Sequence, residues 1–100
     1  MSQNVQLQQC PITLDTVIGL IQPVHEYFNR INDQGSLQLL GQVKEKLATG
    51  KLGDLETAVE TLRRLHLSIP LEEADARKYS AVLWVNAGRY HYQANKYNQH

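Results

Sequence analysis

Apolar residues recur along the first half of the chain at Leu14, Val17, Ile21, Val24, Phe28 and Ile31, in steps of 3, 4, 3, 4 and 3. Steps of this kind keep one side of a 3.6-residue helix apolar over about two and a half heptads. Thr13 stands where an N-cap belongs, and Asp15 falls in the first turn, where a carboxylate meets the positive end of the helix dipole. Pro23 removes one backbone donor and crowds the preceding turn, which predicts a kink or break near residues 19–22, with Gly19 easing the bend.

Asn32-Asp33-Gln34-Gly35 reads as a turn, followed by a second helix capped by Ser36. Its inward residues are Leu37, Leu40, Val43 and Leu47, while Lys44, Glu45 and Lys46 point largely outward. Gly50-Lys51-Leu52-Gly53 closes it, because glycine readily takes the left-handed conformation found at helix ends. Asp54 is expected to cap a third helix over residues 55–66, with Leu55, Ala58, Val59, Leu62 and Leu65 or His66 inward. Ser68-Ile69-Pro70 breaks the chain again. A last helix then runs to about residue 95, with Pro70 in its first turn and Glu72, Glu73 and Asp75 supplying early acid. No alternating apolar–polar stretch persists long enough to compete as strand. The expected fold is all-α, a compact bundle of about four helices. Gln-rich residues 1–11 form a flexible N-terminal arm, and residues 12–100 a single helical-bundle domain.

The last helix carries apolar residues on two sides. Ala74, Ala81, Val85, Gly88 and Tyr92 share one face, with Trp84 at its margin, and their small side chains predict close packing against another helix. The opposite side carries Tyr79, Leu83, Tyr90 and Tyr97. Three basic-tyrosine pairs, Lys78-Tyr79, Arg89-Tyr90 and Lys96-Tyr97, return at intervals of eleven and seven residues, so cations form one stripe and tyrosines another.

Charge sharpens this picture. The 100 residues carry ten acids and ten bases, so no net field draws the whole molecule to nucleic acid or an anionic membrane. Residues 77–100 nonetheless hold Arg77, Lys78, Arg89 and Lys96 with no acid at all. The one cysteine, Cys10, excludes an internal disulfide and is expected to be a free surface thiol. With no basic-then-apolar leader pattern and no apolar run long enough to span a bilayer, a cytoplasmic protein is expected.

Candidate chemistry is sparse. His25-Glu26 lacks the second histidine one turn later that a zinc helix needs. His66 falls at the end of the third helix, where an imidazolium would suit the dipole in a structural role. His91 and His100 have no local ligand partners. Gly50-Lys51 has neither the spacing nor the preceding strand of a phosphate loop. No carboxylate pair is marked for acid–base work. These residues predict no enzyme activity, no metal and no cofactor.

The expected function is a non-catalytic protein-binding module, such as a small regulator, inhibitor or adaptor. It acts through its C-terminal helix and self-associates as a homodimer. The docking residues are Lys78, Tyr79, Leu83, Arg89, Tyr90, Lys96 and Tyr97, since tyrosine and arginine anchor many interfaces. The alternative is nucleic-acid binding by the basic and tyrosine stripes of residues 77–97, phosphates held by the cations and bases stacked on the phenols. An enzyme is the third reading.

Overall fold

A computed structural model describes residues 11–98, with side chains described through Lys96. The chain forms four helices: α1 (Leu14–Arg30), α2 (Gln34–Thr49), α3 (Leu52–Ser68) and α4 (Ala74–Asn98). Among the described residues there is no strand. Each helix packs on its neighbours in sequence and α4 closes the ring against α1, while among the described residues the backbones of the diagonal pairs stay apart. Short connections make successive helices antiparallel. The α1–α4 seam agrees: Ile12, just before α1, meets Gln93 near the end of α4, while Glu26 and Arg30 share a groove with Asp75 and Tyr79 near its start.

The α1 seam folds as its spacing dictates. Val17, Ile21, Val24 and Phe28 are buried, and the Tyr27 ring packs edge-on against Phe28 at 5.1 Å between centroids. The Arg30 guanidinium lies over the Tyr27 ring, 5.3 Å from its centre. Thr13 caps the helix by accepting a hydrogen bond from the Thr16 backbone N–H. The helix continues through Pro23 without dividing. A mid-helix proline costs about 3 kcal/mol or more, and buried residues on both sides of it, Ile21 before and Val24, Tyr27 and Phe28 after, hold α1 on the core. Ile31 lies just past the helix as its C-cap and is exposed.

The starts of α2 and α3 differ from the sequence reading, and the turn before α2 closes α1. The left-handed position after α1 belongs to Asn32, at φ 60°. Asn32 and Asp33 donate backbone N–H bonds to Asn29 and Phe28 carbonyls, closing α1 in a Schellman motif. Asp33, rather than Ser36, then caps α2: its carboxylate accepts from both the N–H and the hydroxyl of Ser36. Those bonds hold its acidity stronger than an ordinary aspartate's. Asp54 does not cap α3, which starts at Leu52. Its carboxylate accepts from the Thr49 hydroxyl at 2.8 Å and faces Lys46 at 3.8 Å, clasping the end of α2 to the first turn of α3. Gly50 does take the left-handed conformation, at φ 70°.

The start of α4 is also later than Pro70. Ile69 is buried, the chain turns through Pro70–Glu72, and the Glu73 N–H bonds back to the Pro70 carbonyl. Arg77 donates to the Ile69 carbonyl at 2.7 Å, tying α4 to that turn. Of the expected acidic residues, only Asp75 lies in the first turn of the helix.

Candidate docking face on the last helix

Two parallel seams run the length of α4, two residues out of phase. Ala76, Ser80, Leu83, Ala87, Tyr90 and Ala94 follow one another in steps of 4, 3, 4, 3 and 4. This seam faces the bundle: Ala76, Ser80, Leu83 and Ala87 are buried, and Tyr90 and Ala94 pack partly buried against the core. Lys78, Val82, Val85, Arg89, Tyr92 and Lys96 repeat the same steps, offset by about 200° around the helix. That second seam faces solvent along its whole length of about 27 Å.

The faces of α4 are therefore the reverse of the sequence reading. Ala74, Val85 and Tyr92, expected to pack inward, are exposed, Val85 by 56% and Tyr92 by 69%. Among the described residues, nothing beyond the adjoining backbone of α4 comes within 4 Å of where a Gly88 side chain would begin, so none of the other three helices uses the space the glycine leaves. Leu83, expected on the docking side, is 0% exposed and belongs to the core. The physical reason is charge. The inner seam has none, whereas three of the six outer positions are cations whose hydration forbids burial without partners.

The expected site residues separate accordingly. Lys78, Arg89 and Lys96 do share one outward stripe. Among the described residues none of them pairs with a carboxylate; Arg89 donates only to the Asn86 side-chain carbonyl, at 3.1 Å. Arg77, the fourth cation of this segment, turns inward toward Ile69 and His66. The tyrosines do not form one face. Tyr90 leans on the core, and Tyr79 lines a groove of about 410 Å³ between α1 and α4, beside Glu26, Arg30 and Asp75. Tyr97 belongs to α4, but its side chain lies outside the described residues, as do Cys10 and His100. Val82, Val85 and Tyr92, exposed between the cations, were missed as site residues. Their signal was present in the 4–3 spacing that links them to Lys78, Arg89 and Lys96.

Side chains elsewhere serve the bundle. Ser80, 3% exposed, gives its hydroxyl hydrogen to the Arg77 carbonyl and meets His66 Nδ1 at 2.7 Å. With that hydrogen committed, Nδ1 carries the ring hydrogen and donates, and Nε2 faces Arg77 Nη2 at 3.5 Å as an acceptor. Burial and the neighbouring guanidinium push the imidazole of His66 below its usual basicity. The expected imidazolium at the end of α3 is thus replaced by a neutral ring that joins α3 to α4 and lies 5.6 Å from the Trp84 ring. Among the described residues no three His, Cys, Asp or Glu side chains converge as a metal site, and no helix is long and apolar enough to cross a membrane. Comparison with protein-family models, curated proteins and solved structures finds no match to this chain.

Proposed function

We propose that this protein is a non-catalytic binding module whose docking surface is the outward seam of α4. Its partner is an amphipathic helix of another protein with an apolar ridge flanked by carboxylates. The observation that carries this reading is the exposure of Val82, Val85 and Tyr92 between three cations that have no acidic partner among the described residues. Apolar area on one helix attracts apolar area on another, and Lys78, Arg89 and Lys96 select a ridge bordered by Glu or Asp. Ala81 and Gly88 flank the seam and let a second helix approach closely. Because α4 is held along its inner side by α1 and α3, little ordering is left to be done on binding.

A second copy suits this seam less well. An antiparallel pairing about residue 87 sets Lys78 of one copy against Lys96 of the other at both ends, where like charges repel. Self-association, expected from the two apolar sides of the sequence, is therefore not part of the proposal.

The test uses a designed helical peptide with leucine at its a and d positions and glutamate beside them, and a twin bearing lysine in place of glutamate. Titration should give saturable binding of the glutamate peptide only. Arg89→Glu should weaken it at least tenfold, and Tyr92→Ala should weaken it more than Lys96→Ala. Equal binding of both peptides would refute the electrostatic selection. A single-stranded oligonucleotide that binds more tightly, with affinity falling steeply as salt rises, would transfer the surface to nucleic acid.

A further inference from the structure

We propose that the groove between α1 and α2, a separate surface from the α4 seam, binds a single-chain amphiphile with an anionic head. The groove encloses about 560 Å³, within the range of small-molecule sites. Its floor is apolar: Ile21 and Leu40 are buried, and Ile18 and Leu37 are half-buried above them. Gly19 lines one wall and Gly41 the other. Both glycines lie inside helices, where glycine is unfavourable relative to alanine. Among the described residues, a side chain begun at either would meet nothing within 4 Å. Neither is therefore required for α1 to approach α2. What the two glycines do provide is width in the groove.

The rim decides the charge of the occupant. Lys44 and His25 line the groove, and among the described residues no carboxylate does. Lys44 has no salt bridge among the described residues, so its ammonium is available to an incoming anion. The His25 ring supplies a further N–H donor. An alkyl chain laid over Ile18 and Leu37 with its carboxylate at Lys44 removes apolar surface from water and leaves the head group solvated at the rim.

The probe is decanoate, held below its micellar concentration, with decyltrimethylammonium as a cation of the same chain length. Binding is followed by amide shifts in ¹⁵N-labelled protein. Decanoate should saturate, with shifts confined to residues around 18–25 and 37–44, and the cation should bind at least tenfold more weakly. Gly41→Leu, which fills the groove, should abolish binding while the thermal midpoint stays level or rises. Lys44→Glu, at an exposed position, should cost at least tenfold for decanoate and narrow or reverse the preference over the cation. Equal binding of anion and cation, shifts on α4 or through the core, or affinity within twofold of wild type in both variants would overturn the proposal. Failure here leaves the α4 peptide titration unaffected, since the two surfaces share no residue.

Discussion

Leu83→Ala and Val85→Ala, two residues apart on α4, should differ sharply in stability although both remove aliphatic carbon from the same helix. Leu83 is fully buried among the core side chains, and Val85 is more than half exposed on the outward seam. Truncating a buried leucine loses its transfer free energy and leaves a cavity, together about 2–5 kcal/mol. A domain of this size has a total stability of about 5–15 kcal/mol. With a loss of about 3 kcal/mol and a urea slope near 1.5 kcal/mol per M, the midpoint falls by about 2 M. Val85→Ala should stay within about 0.5 kcal/mol, since surface changes are small and alanine is the better helix former. Urea unfolding followed by both circular dichroism and Trp84 fluorescence measures the difference and checks that the transition is two-state. Comparable losses in the two variants, or a larger loss for Val85→Ala, would refute the assignment of faces and remove the basis for the docking surface.

Three other outcomes follow from the packing. Stability should fall as pH drops below the ordinary histidine value of 6.5 toward the lower value that His66 has in the fold. In that window the unfolded chain binds more protons than the folded one, whereas above it this group contributes no pH dependence; thermal midpoints from pH 7.5 to 5.0 should show the loss, and His66→Gln should reduce it. Gly88→Ala should raise stability by about 0.5–1 kcal/mol, because the new methyl meets empty space in a helix interior, read as a rise in the thermal midpoint. Gln93→Ala should remove the paired bonds its amide makes with the Ile12 N–H and carbonyl, at 3.0 and 2.9 Å; the cost should be about 1–3 kcal/mol, with faster hydrogen exchange at Ile12.

Local pattern predicted the elements well where one face is clearly greasier than the other. The 3–4 spacing from Leu14 to Phe28, the Thr13 cap and the left-handed Gly50 are all local signals, and each holds in the fold. Boundaries set by competing caps were less legible. Asp33 and Ser36 are both good cap residues, and only the backbone geometry chooses Asp33. The core face of α4 was misread because small residues were taken as the mark of close packing, and the helix carries them on two sides: Ala76, Ser80, Ala87 and Ala94 toward the core, and Ala74, Ala81 and Gly88 on the other side beside Val85 and Tyr92. Small size therefore could not tell the two faces apart. Absence of charge along an unbroken 4–3 seam was the better guide. The contacts between Gln93 and Ile12 and between His66 and Ser80 join residues 81 and 14 apart in sequence and left no local mark.

The docking claim is tested most directly by titrating ¹⁵N-labelled protein with the glutamate-flanked peptide and mapping the amide shifts. The largest shifts should fall along Lys78, Val82, Val85, Arg89, Tyr92 and Lys96, and changing Arg89 to Glu should erase them. Shifts concentrated on α2 or α3, or none along α4 at saturating peptide, would contradict it.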